Sequence, residues 1–178
     1  MQFVASTLSV LPVVFPIVAL LASAICLCPH GVVFTVFYVF VWFSASFIKK
    51  FFSWILPTNV KSRPCKLEGK DCSCGFFGCL KTGTDEAAFP STHAFLSGFF
   101  ATFWTCYLST IKQDWKTALG IAAIWLCALA IATERVATRC HSIPQVIVGL
   151  VLGTIYGVSY YMFGAFLFPN TFPKLFNK

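Results

Sequence analysis

The sequence predicts an all-α, polytopic membrane helix bundle with about five transmembrane helices, and three observations predict it. The 178 residues are 58% hydrophobic, 17% aromatic and only 11% charged, whereas a soluble domain usually carries about 25% charged residues. Several uncharged runs approach the roughly 20 residues that cross a hydrocarbon core. Those runs are continuous rather than alternating, which excludes a small barrel. The thirteen Lys and Arg lie outside the apolar runs. The net charge of +7 therefore reads as membrane-flanking charge, with an anionic substrate as the sharper reading. There is no Gly-rich nucleotide loop and no basic-aromatic repeat, so no nucleic-acid partner is expected.

The elements follow in order. Residues 3–27 form the first uncharged run, with Pro12 and Pro16 as possible kinks, and Met1-Gln2 offer no basic leader to mark a signal peptide. Cys28-Pro29-His30-Gly31 is a tight turn, which makes His30 a turn residue. Residues 32–48 form the second span, closed by Lys49-Lys50, and 51–56 read as interfacial. Residues 57–89 form a long polar loop with Arg63, Cys65, Cys72, Cys74 and Cys79. The third span covers 91–107, the fourth 117–133 and the fifth 146–168, with a polar patch at 134–144. Gly149, Gly153 and Gly157 recur every four residues and predict close helix packing. No repeat or second domain is visible, so residues 1–178 read as a single integral-membrane domain.

Alternation of five spans puts the 57–89 loop, the start of the third span and the 134–144 patch on one membrane face. Arg63, Ser91, Thr92, His93, Arg135 and His141 can then converge. Phe89-Pro90-Ser91-Thr92-His93 precedes a helix start, where backbone N–H groups with the Ser91 and Thr92 hydroxyls form an anion cradle beside an imidazole. A metal-free site that cleaves a phosphate ester or anhydride needs cations for the phosphoryl oxygens, a nucleophile for phosphorus and an acid for the leaving oxygen. Arg63 and Arg135 suit the first task because guanidinium binds phosphate bidentately. His141 lies just outside a helix beginning near Pro144. Gln145, four residues on, can take a hydrogen bond from one ring nitrogen and turn the other toward phosphorus. His93 is then the acid.

These residues carry a resemblance. Arg63-Pro64, Pro90-Ser91-Thr92-His93 and Arg135-x5-His141 resemble the signature K-x6-R-P, P-S-G-H and S-R-x5-H-x3-D of the type 2 phosphatidic acid phosphatase superfamily. The resemblance implies removal of phosphate from lipids without metal or other cofactor, through a phosphohistidine. It implies His141 as nucleophile, His93 at the leaving group, and Arg63, Ser91, Thr92 and Arg135 on the phosphate. Four positions depart from the signature. Thr92 stands in the Gly position. Leu56 stands where the family has Lys, leaving Lys61, Lys66 or Lys50 to supply that charge, with Lys61 taken as the phosphate-binding candidate. Glu134 replaces Ser, and Gln145 replaces Asp. His141-x3-Gln145-Val146 and Arg63-Pro64-Cys65 look like the dolichyldiphosphatase branch, which implies a polyprenyl diphosphate converted to the monophosphate. Phosphatidate or a sphingoid phosphate is the alternative substrate. A catalytically silent lipid-binding scaffold is the alternative function, motivated by Leu56 and Gln145. A transporter ranks last because the span interiors are uncharged.

Cys26, Cys28, Cys106, Cys127 and Cys140 read as small hydrophobes in or beside spans. Cys65, Cys72, Cys74 and Cys79 read as disulfides, free thiols or, at spacings that fit poorly, a zinc clip. Arg139 reads as a headgroup anchor. Nine Lys and Arg flank the motif face (Lys49, Lys50, Lys61, Arg63, Lys66, Lys70, Lys81, Arg135, Arg139) and four the other (Lys112, Lys116, Lys174, Lys178). That excess favours a cytosolic motif face. The resemblance and the loop cysteines favour the lumen of an endoplasmic-reticulum-type membrane, which is the orientation expected here.

Overall fold

The structure, a computed structural model, describes residues 2–69, 87–111 and 113–175. The described residues form helices joined by turns: α1 (Gln2–Cys26), α2 (His30–Ile55), the single turns α3 (Thr58–Lys61) and α4 (Pro64–Leu67), α5 (Thr92–Thr110), α6 (Trp115–Ala137) and α7 (Ile143–Leu167). Four stretches, Leu8–Cys26, His30–Ile55, Trp115–Ala137 and Ile143–Leu167, are long and apolar enough to cross a membrane. α5 is the fifth long helix and lies inside the bundle, with Phe95, Leu96, Phe99 and Phe103 fully buried. Its neighbours shield it from lipid, so it tolerates the buried Ser97 and Thr102 that an outer helix would expose. The protein is an all-α, multi-pass membrane bundle.

Two helices run past their expected ends. α2 continues through Lys49-Lys50 to Ile55, so residues 51–55 are helical rather than a separate interfacial segment. The stop is Pro57, which drives the residue before it, Leu56, into extended backbone (φ −92°, ψ 143°). α6 continues to Ala137 and carries Glu134 and Arg135 in its last turns. α1 keeps both its prolines inside the helix. Pro16 has no N–H for the Pro12 carbonyl four residues back, and the buried Tyr38 hydroxyl donates to that carbonyl instead. Thr35 Oγ1 donates to the Pro16 carbonyl at 3.2 Å. Pairing α1 with α2 thus satisfies the backbone that its prolines leave open.

The core is aromatic. Phe34 of α2 stacks on Phe99 of α5 at 5.8 Å between ring centroids, and Phe103 meets Tyr161 of α7 edge-on at 5.7 Å. Glycines bring α5 and α7 together, as their spacing predicts. A Cβ on Gly153 would lie 2.1 Å from the Phe95 carbonyl oxygen, and one on Gly149 would lie 2.6 Å from the Ser91 carbonyl oxygen. Only glycine admits that approach, and it seats the start of α5 against the start of α7. An apolar cavity of about 500 Å³ opens between α1, α5 and α6 around Phe15, Ala19 and Trp104.

Gly153→Ala is expected to destabilise the bundle by about 1–3 kcal/mol through overpacking. Gly120→Ala, whose Cβ would meet only the Leu108 side chain at 3.9 Å, is expected to be tolerated. Thermal unfolding in detergent, followed by size-exclusion chromatography, checks both.

Candidate active site

Three short backbone segments meet at one end of the bundle: 57–69 after α2, 87–93 at the start of α5, and 134–145 across the turn between α6 and α7. They are bonded directly to one another. Ser91 N donates to the Gln145 carbonyl at 3.0 Å, Ala88 N to the Lys61 carbonyl at 2.6 Å, and Cys65 N to the Arg139 carbonyl at 3.1 Å. Cys65 and Cys140 are each disulfide-bonded, and they pack against each other, buried. This corrects the expectation for Cys140, which is a covalent partner rather than a small hydrophobe. It also excludes a zinc clip made by all four loop thiolates, since Cys65 is spent. Cys72, Cys74 and Cys79 lie outside the described residues. Arg139, at a left-handed φ of 57°, turns the chain and pairs its guanidinium with Glu68 at the exposed rim. The Arg139 side chain remains 59% exposed beside that pair.

His141 and Gln145 form the centre of this assembly. His141 N donates to the Arg135 carbonyl at 3.0 Å, which closes the turn and fixes the position of the ring. His141 Nδ1 lies 3.2 Å from Gln145 Oε1. The orientation of the Gln145 amide follows from its other contacts. Its Nε2 donates to the Val60 carbonyl at 2.9 Å and the Ser62 carbonyl at 3.0 Å, and Ser142 N donates to its Oε1 at 3.1 Å. Two carbonyls demand the NH₂ end and one N–H demands the oxygen. Oε1 is thus an acceptor, so His141 Nδ1 carries the proton and Nε2 holds the lone pair. Burial, followed by the charges of Lys49 and Arg63, holds the His141 imidazole well below its usual pKa. The ring is neutral at neutral pH.

His93, at the second position of α5, is buried. The Ser9 backbone of α1 hydrogen-bonds its ring, and Arg135, Lys49 and Arg63 act on it electrostatically. His93 and His141 also act on each other, so the structure brings both histidines and both arginines together. Arg63 and Arg135 are 5% and 2% exposed, which keeps their charges out of the solvent that would screen them. Ser91 is fully buried and caps α5, its hydroxyl accepting from Ala94 N at 3.4 Å. Thr92 is half-buried at the first helical position. Lys61 points elsewhere, donating to the Ser53 carbonyl at 2.8 Å, and His30 lies at the far end of α2, 2.8 Å from the Thr171 carbonyl oxygen.

The cation that sequence reasoning missed is Lys49. The inward stripe of α2 runs through Phe34, Tyr38, Val41 and Ala45, and the next step of four lands on Lys49 rather than Lys50. That periodicity was the available signal. Glu134 was seen only as a departure from a motif. It forms a buried salt bridge to Arg135. Among the described residues no group of three or more His, Cys, Asp and Glu is arranged to hold a metal ion.

Residues 13–168 match the model of a protein family described as the PAP2 superfamily, a range that includes Lys49, Arg63, Ser91, Thr92, His93, Glu134, Arg135, His141 and Gln145. No curated protein and no solved structure matches the chain.

Gln145→Glu keeps length and Oε1 but replaces the donor that faces Val60 O and Ser62 O with a second acceptor. A loss of about 1–3 kcal/mol is expected from two carbonyls left unsatisfied. Stability should be measured by thermal unfolding, and a variant as stable as the parent contradicts the assigned amide orientation.

Proposed function

Since the chain belongs to the PAP2 superfamily, a hydrolase superfamily of lipid phosphatases, we propose that residues 1–178 form a single phosphatase domain that hydrolyses a polyprenyl diphosphate of the dolichyl type to its monophosphate. One observation carries this reading. A neutral His141, with Nδ1 tied to Gln145 and Nε2 left as the nucleophilic nitrogen, sits among Lys49, Arg63 and Arg135.

In the first step His141 Nε2 attacks the terminal phosphorus in line. The bond to the bridging oxygen breaks, and His93 gives its proton to that oxygen as the lipid monophosphate leaves. Water then attacks the phosphohistidine, His93 takes a proton from it, the N–P bond breaks, and inorganic phosphate departs. Arg63, Arg135 and Lys49 hold the phosphoryl oxygens, where negative charge accumulates. Ser91 and Thr92 place the start of α5, with its partial positive charge, beside the phosphate. Preference for a diphosphate on a prenyl chain rests on the resemblance of His141-x3-Gln145-Val146 and Arg63-Pro64-Cys65 to the dolichyldiphosphatase branch.

The site faces the lumen of the endoplasmic reticulum in this reading. That Cys65 and Cys140 are disulfide-bonded supports it, because such bonds persist in oxidising compartments. The motif-face Lys and Arg excess points the other way, but Lys49, Arg63 and Arg135 have a chemical reason to be there.

The test is phosphate release by the detergent-purified protein in EDTA, with polyprenyl diphosphate, phosphatidate and sphingoid phosphate compared side by side. Release from the prenyl diphosphate is expected to be fastest and to fall by at least about 10³-fold in His141→Ala. Faster release from another lipid reassigns the substrate, and binding without turnover identifies a silent scaffold. The pH profile is a second check. His141 loses its nucleophilic lone pair only when pH falls below its lowered pKa. The acid limb of kcat/KM should therefore lie below the ordinary imidazole value of about 6.5. A limb at or above that value contradicts a neutral, desolvated His141.

A further inference from the structure

We infer that Glu134 is a built-in competitor of the substrate phosphate for Arg135, setting how tightly the site holds phosphate and so how readily product leaves; this rests on the proposed phosphatase reading. Glu134 and Arg135 are adjacent in the last turns of α6, and neighbours at that spacing do not ordinarily face each other on a helix. Here they do. The carboxylate takes both Arg135 Nε and Nη2, the latter at 2.6 Å from Oε1. Both side chains are shut from solvent, at 3% and 5% exposure, so this is not a screened surface pair. The contact uses the guanidinium fork that binds phosphate bidentately.

Charge arithmetic gives the pair a purpose. Lys49, Arg63 and Arg135 place three positive charges around His141. Cations so placed, with Arg63 and Arg135 buried, bind any phosphate tightly, including the inorganic phosphate that must leave. Glu134 offsets one of these charges and acts on the cation it touches. When the phosphate departs, the carboxylate is already in place on the buried guanidinium of Arg135. Glu134 is thus a positioning and charge-setting residue that works through Arg135. The family signature has serine at this position, so this tuning belongs to the present chain.

The test measures orthophosphate affinity, by competitive inhibition and independently by thermal shift of the detergent-purified protein. Glu134→Gln keeps an oxygen for Arg135 Nε but removes the charge. It is expected to tighten orthophosphate about tenfold, lower KM and lower kcat, and the tightening should vanish when Arg135→Met is added. Glu134→Asp, which keeps the charge, should stay within about threefold of the parent for orthophosphate. A residue that only props Arg135 in place would give the opposite sign, with weaker phosphate binding and a raised KM. Unchanged or weaker affinity in Glu134→Gln overturns the inference, as does failure of both Glu134→Gln and Glu134→Ser to yield folded protein, because the carboxylate is then structural. A parent protein that neither binds orthophosphate nor hydrolyses any lipid phosphate removes the phosphatase reading itself. A parent that does both while Glu134→Gln is unaltered removes only this one.

Discussion

The Gln145 side-chain amide is the contact on which the rest of the site depends. Its NH₂ end grips the backbone of the segment carrying Arg63 through the Val60 and Ser62 carbonyls. Its oxygen takes Ser142 N and faces His141 Nδ1, and its own carbonyl accepts from Ser91 N. One residue therefore reaches all three motif segments. A carboxylate at this position orients a histidine equally well but has no donor for the two carbonyls. The replacement of Asp by Gln, which from the motif alone suggested weakened chemistry, is better understood as a change of job. The residue that orients His141 also fastens the loop bearing Arg63.

Disulfides add covalent fastening at the same place. Cys65 lies two residues beyond Arg63 and Cys140 immediately precedes His141; each is disulfide-bonded, and the two pack against each other out of solvent. Loop segments lose considerable entropy on ordering, of order 1–2 kcal/mol per residue, and a cationic site opposes its own assembly by repulsion. A cross-link constrains the separated state most. Disulfide-bonded cysteines beside buried Arg63 and beside His141 act where that repulsion is greatest. The α5–α7 glycine contacts complete the frame, since Gly149 lets the Ser91 carbonyl come within reach of α7.

Much of this was legible in the residues because the bilayer imposes strong rules. Uncharged runs gave five spans, glycine spacing gave the α5–α7 contact, and alternation of spans gave the shared face of Arg63, His93, Arg135 and His141. The interval of four gave the His141–Gln145 contact. The failures are equally physical. Helix ends were misplaced at Lys49-Lys50 and at Glu134 because charge was taken as a stop. Yet lysine and glutamate are good helix formers, and the chain stops where backbone chemistry changes, at Pro57 and at the left-handed Arg139. Lys61, Lys66 and Lys50 were the candidates for the charge missing at Leu56 and Lys49 was not among them, while the side-chain direction of α2 decides which lysine reaches inward. Cys65 and Cys140 pack together although 75 positions apart, and nothing local in the sequence marks it.

Two histidines of identical intrinsic chemistry take different surroundings in this site, and the difference comes from what holds each ring. His141 has its Nδ1 proton directed at a neutral amide oxygen, a partner that fixes the tautomer without stabilising a positive charge as a carboxylate would. Burial and the neighbouring cations then keep it neutral. The glutamine thus leaves His141 Nε2 with its lone pair, as the proposed nucleophilic role requires. The negative charge absent from position 145 stands instead at Glu134, against a cation rather than an imidazole. Relative to the family signature, one acidic side chain has been lost beside His141 and one gained beside Arg135. The site keeps its carboxylate but moves it from the proposed nucleophile to a proposed phosphate-binding arginine.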